Sequence, residues 1–130
     1  MPVEIDKARR LARVTLRGQI HADDIIKSFR EMLDHPDLTA DTNSLWDLSD
    51  GSLAQLSRQD VHDVETYMRR FQDVRNGIKS ACVCPQDLNY GLARMYEMLS
   101  ERVTTAQFRV FRNMAEAEAW LASDDPKGCP

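Results

Sequence analysis

Glycine is scarce in this chain and never clustered: the five residues Gly18, Gly51, Gly77, Gly91 and Gly128 each stand alone. A loop that cradles phosphate needs glycines grouped so that backbone can approach the ligand, so nucleotide binding by such a loop is excluded. Cysteine is scarcer still. Cys82, Cys84 and Cys129 cannot pair completely, which fits a reducing cytoplasm and no disulfide framework. A Cys-x-Cys without a second Cys/His pair, together with His21, His35 and His62 at unrelated spacings, makes no metal site. No apolar run approaches the roughly eighteen residues of a membrane span, so stable membrane insertion is not expected. Residues 1–6 lack the basic stretch and apolar run of a secretory leader. Excess positive charge is also missing: 17 Lys and Arg against 21 Asp and Glu give a net charge of −4, which argues against nucleic acid as a partner.

What is present is an ordinary globular composition, with 42% hydrophobic and 29% charged residues over 130 positions. That length makes one domain with a proper core. Residues 3–6 and 11–17 read as a hairpin around Lys7-Ala8-Arg9-Arg10. A helix is predicted over about 22–34, with Ile25, Ile26, Phe29, Met32 and Leu33 on one stripe and Asp23 and Asp24 in its first turn. Residues 44–48 form a short buried strand, and 49–52 a turn. Ser57 with Asp60 opens a second helix as a capping box. That helix carries Val61, Val64, Met68 and Phe71 and closes at Asn76-Gly77. A strand over 78–84 follows. A third helix over about 87–102 is expected to bury Leu88, Leu92, Met95 and Leu99. A strand over 107–112 and a short helix opened by Asn113 and ending near Trp120-Leu121 complete the chain. The order β-β-α-β-α-β-α-β-α predicts one α/β domain over 1–122, with a mixed, mostly parallel sheet of about five strands and about four helices. Residues 123–130 read as a loose tail.

That order, with Leu45-Trp46-Asp47-Leu48-Ser49, the stretch Asp87-Leu88-Asn89-Tyr90-Gly91-Leu92-Ala93-Arg94-Met95-Tyr96-Glu97, and the closing Arg109-Val110-Phe111-Arg112-Asn113, resembles the STAS-domain superfamily. Within it the likeness is to the bacterial SpoIIAA-like (STAS/SEC14-type) small proteins, over about Ile5 to Leu121. The resemblance implies a STAS-like fold and binding rather than catalysis. Its well-understood members antagonise anti-sigma factors and are switched by phosphorylation of a serine in an Asp-Ser-Ser-Gly pattern. Here that pattern falls on Gln55-Leu56-Ser57-Arg58. Leu56 takes the phosphoacceptor's place and Ser57 matches the next serine, so the sigma-factor role is not carried over.

Ser57 is first a helix N-cap, and only secondarily a place where phosphate would be stabilised. Asp47, Asp50 and Asp60 lie close by in sequence and would repel a dianion. Cys84, before a helix, reads as a small buried hydrophobe rather than a reactive thiol. Lys7, Arg9, Arg10, Arg13 and Arg17 put five basic residues along the hairpin, read as charge guarding an edge strand ahead of an anion patch. Tyr90, Arg94 and Glu97 share a face of the third helix, with Asp87 at its start. Asp47, Asp50, Ser57, Asp87, Tyr90, Arg94 and Glu97 together form the candidate interaction patch, placed near strand ends, where α/β sheets put their sites.

No nucleophile, base and oxyanion arrangement is assembled in the sequence, so no enzyme and no cofactor are expected. The leading expectation is a regulatory or protein-interaction module with a protein partner, and a homodimer as the default assembly. The alternative is a carrier or sensor of a small apolar ligand such as a lipid, with Met32, Met68, Met95 and Met98 able to repack around a guest. An apolar pocket would favour the alternative, whereas a filled core beneath an exposed apolar patch would favour the interaction module.

Overall fold

The computed structural model describes residues 2–101 and 106–123. A five-stranded sheet runs in the order β1 (Val3–Asp6), β2 (Leu11–Thr15), β4 (Asn43–Asp47), β6 (Lys79–Val83), β7 (Gln107–Phe111). Only the β1/β2 hairpin is antiparallel, with Val3 opposite Val14 and Asp6 opposite Leu11. The remaining neighbours pair in parallel. Four helices connect the strands: α1 (Ala22–Leu33), α2 (Arg58–Arg69), α3 (Asp87–Ser100) and α4 (Met114–Ala122). This is the single mixed α/β domain that the sequence implied. Residue 102, assigned to the third helix by its pattern, lies outside the described residues.

The sheet divides two apolar clusters by strict alternation along its strands. Val14, Trp46, Cys82 and Val110 face the larger cluster with Phe29, Met32 and Ala93 from the helices. Leu11, Leu45, Ala81 and Val83 face the other way, against Ala117 and Trp120 of α4. Burial on both faces explains why the central strands lack a polar alternation.

The residues read as a turn at 49–52 are partly a strand. Gly18–Gln19 (β3) and Gly51–Ser52 (β5) form a two-residue parallel pair beside the main sheet. A Cβ on Gly51 would lie 2.8 Å from the Leu16 carbonyl oxygen, so the close approach of the two backbones there requires glycine.

The second helix is shorter than its apolar spacing suggested. It ends at Arg69, and Phe71 sits in a run of tight turns that follows. The amides of Arg70, Phe71 and Gln72 each donate three residues back, which winds the chain down before Gly77 at φ +76°. The winding brings Arg75 back to the start of the central strand β4, where its Nη2 donates to the Thr42 carbonyl at 2.8 Å.

The third helix turns a different face inward from its leucine stripe. Asn89, Ala93, Glu97 and Ser100 are buried, while Leu88 is 54% exposed. Asn89 is held inside by two backbone partners. Its Oδ1 accepts from the Leu53 amide at 2.9 Å, and its Nδ2 donates to the Gly51 carbonyl at 2.9 Å. Satisfied polar groups of this kind can outrank an apolar stripe.

The hairpin's positive charge is largely answered in place. Lys7 pairs with Asp37, Arg10 with Asp41 and Arg13 with Glu118. The edge strand β1 itself carries Glu4 and Asp6. The five cations lie in the turn, on β2 and just after it rather than on the edge strand, and three of them pair with neighbouring elements.

At the start of β6, buried Lys79 donates from Nζ to the carbonyls of Trp120 and Ser123, a cation at the end of α4. Ser123, counted in the tail, is thus anchored. The rest of that tail, with Cys129, lies outside the described residues.

Candidate functional site

The helices α1, α2 and α3 do not close completely on the sheet. Between them lies a cavity of about 140 Å³. Its floor explains the gap. Ser44 and Ser80 are paired across β4 and β6, and Cys82 sits opposite Trp46 in the next layer. Three small side chains stand where buried parallel strands ordinarily carry branched aliphatics. Ala93 leaves the same shortage of volume on the helix side.

The walls are apolar over most of their area. Ile25, Phe29 and Met32 come from α1, Val61, Val64 and Met68 from α2, and Leu92 and Tyr96 from α3. Phe108 of β7 packs edge-on against Tyr96 at 4.7 Å between ring centres. Leu16, Leu48, Leu53 and Leu56 close the end toward the C-terminal ends of the strands. Two of the four methionines singled out in the sequence, Met32 and Met68, line the space. Met95 does not, and Met98 is 58% exposed.

A few polar groups interrupt this lining. Glu65 is buried and pairs with the exposed Arg69. The Tyr96 hydroxyl donates to the Met68 sulfur, and burial, with the Glu65 charge behind it, pushes the phenol above its ordinary range. Cys82 and Cys84 hold their sulfurs 3.5 Å apart, and that contact together with burial pushes the Cys82 thiol well up. Arg75, 5% exposed, lines the end where the strands begin. Burial brings its guanidinium down to about 10, still charged at neutral pH.

Six of the seven residues of the sequence-based patch are at least partly exposed, and the seventh, Glu97, is buried. Asp47, at the end of β4, accepts from the Ser49 amide, and Asp50 is exposed in the turn that follows. Ser57 is the N-cap of α2: its Oγ accepts from the Asp60 amide at 3.0 Å while Asp60 accepts from the Ser57 amide at 2.9 Å. Asp87 and Tyr90 do come together, through a residue the sequence did not suggest. Arg112 pairs with Asp87 at 2.6 Å and lies 4.1 Å above the Tyr90 ring. Arg94 pairs with Glu97, but Glu97 is buried and its other oxygen accepts from the Val110 amide. Glu97 therefore belongs to the packing of α3 on β7 and not to an exposed face.

The cavity, by contrast, was not found from the sequence. The phosphoacceptor position of the resemblance, Leu56, is part of its wall. The available signal was the coincidence of Ser44, Ser80 and Cys82 in strands otherwise made of large apolar residues. Among the described residues, no group of three His, Cys, Asp or Glu side chains is placed to hold a metal ion. No helix among them is long and apolar enough to cross a membrane.

No protein-family model matches the chain, and no curated protein matches it by sequence. A solved structure does. The chain is similar to an uncharacterized protein of the DUF3478 family, with a SpoIIAA-like fold, from Shewanella loihica PV-4. The two superpose with a TM-score of 0.58 at 15% identity, over 92% of each chain. The fold is therefore SpoIIAA-like, of the STAS type.

Proposed function

We propose that this domain binds a small apolar ligand in the cavity between the sheet and α1–α3, as a carrier or sensor without turning it over. The observation that carries the reading is the cavity itself. A space of this volume takes up guests of about the size of benzene. A mostly apolar space with a few convergent polar groups is also the usual form of a small-molecule site.

The protein-interaction reading rests on less. Among the described residues, the large exposed apolar side chains are Val74, Leu88 and Met98, three single positions of the kind any surface carries. What supports binding over catalysis is the lining: it includes none of the three histidines, and the thiol of Cys82 is disfavoured as a thiolate.

Millimolar 1-hexanol should raise the melting temperature of the protein along a saturable curve, as any guest of the folded state does. Ala93→Leu places a side chain in the cavity without new polar demand. The variant is expected to fold at a cost of no more than about 1–3 kcal/mol and to lose the hexanol response at least tenfold. An equal response in both proteins would place the guest elsewhere and contradict the reading.

A further inference from the structure

One group in the cavity wall is left with unmet demand. Arg75 is 95% buried, since its relative exposure is 5%, and Nη2 alone finds a partner, the Thr42 carbonyl. Nη1 is buried and has no hydrogen-bond partner. Among the described residues Arg75 forms no ion pair, although nearby Arg69 is paired with Glu65. A guanidinium offers its donors in a planar fork that suits a carboxylate, and a buried charge is tolerated when it is answered. No carboxylate among the described residues answers this one.

The surroundings of Arg75 extend the same demand. Thr42 directly precedes β4, and Ser44 and Ser80 lie at the second positions of β4 and β6. Their hydroxyls share one hydrogen bond at 2.8 Å. Two hydroxyls joined by one bond have one hydrogen left to give. At this end of the cavity are therefore a free guanidinium N–H and a free hydroxyl hydrogen. Away from it, along β4 through Trp46 toward Leu48 and then Leu53 and Leu56, the lining is apolar. The site has a donor end and an apolar end.

We infer that the ligand is a small monocarboxylic acid, bound with its carboxylate at Arg75 and the Ser44/Ser80 pair and its hydrocarbon body between Trp46, Phe29 and Leu53. This deepens the proposed function and rests on the same cavity. The body is limited to about six carbons by the space available, on the benzene comparison. A bidentate or single charge-assisted bond to Arg75 supplies selectivity over the corresponding alcohol, which cannot neutralise the guanidinium.

The test is a titration of the ¹⁵N-labelled protein with hexanoate and with 1-hexanol, followed through the amides of cavity-lining residues. Hexanoate should bind at least tenfold more tightly than hexanol. Arg75→Leu should abolish that preference while retaining hexanol, and Arg75→Lys should keep the preference with weaker hexanoate binding. Should the leucine variant not fold, the wild-type pair and the lysine variant still decide. Hexanol binding as tightly as hexanoate, or a preference unchanged in Arg75→Leu, would overturn the inference and leave the cavity reading standing. Neither compound shifting those amides in the folded protein would overturn both.

Discussion

Asn89→Ala is expected to lower the unfolding free energy by about 3 kcal/mol, the sum of two orphaned backbone groups at roughly 1–3 kcal/mol each. The Leu53 amide and the Gly51 carbonyl both take their hydrogen bond from this one side chain. Neither group lies where water can replace it, since Gly51, Leu53 and Asn89 are all buried. For a domain of this size the melting temperature should fall by roughly 10 °C. Calorimetry of the pair measures it, and a fall below about 2 °C would mean that the loop at 51–53 is held by something else. The same variant should weaken guest binding, because Leu53 forms part of the cavity wall.

Glu97→Leu is the second large effect, expected to cost about 2–3 kcal/mol as a hydrogen bond to a charged group is lost and a buried donor left open. The geometry of β7 explains why. The Gln107 amide donates to Ile78, and the Phe111 carbonyl accepts from Cys84, so odd-numbered positions bond inward to β6. The Val110 amide points to the free edge, where the Glu97 carboxylate accepts from it at 3.1 Å while also holding Arg94. An acidic side chain from α3 thus covers the open edge of the sheet, a position where strands otherwise invite pairing with another chain. Glu97→Gln keeps an acceptor and should lose less than half as much. Equal losses in denaturant melts of the two variants would show that charge, rather than the edge bond, matters there.

Both residues show how far the sequence could be read. Element order, the mostly parallel sheet and the α2 capping box follow from local patterns and their succession, and the family resemblance carried the SpoIIAA-like fold. The inward face of α3 does not. Its leucines at 88, 92 and 99 form an apolar stripe on the helix considered alone. The face with Asn89, Glu97 and Ser100 around Ala93 wins because the Leu53 amide, the Gly51 carbonyl and the β7 edge exist as unmet groups only once the chain has been folded around them.

The candidate site was less legible for a similar reason. Asp47, Ser57 and Glu97 look available in the sequence, yet each is engaged with a backbone amide. The cavity arises where Ser44 meets Ser80 and Cys82 meets Trp46 in register. That is a property of strand pairing which no single strand displays. Arg75 carries no signal in the sequence because it follows the apolar helix pattern within the polar stretch Gln72-Asp73-Val74-Arg75-Asn76. Only the tightening of the chain after Arg69 turns it inward.

The central claim is that a small guest lies inside this domain, between the sheet and its three covering helices. Intermolecular nuclear Overhauser effects from bound hexanoate test it most directly. The account predicts contacts from the hydrocarbon chain to the Trp46 ring and to the methyl groups of Met32 and Leu53. Contacts confined to the exposed side chains of Val74, Leu88 and Met98 would contradict it.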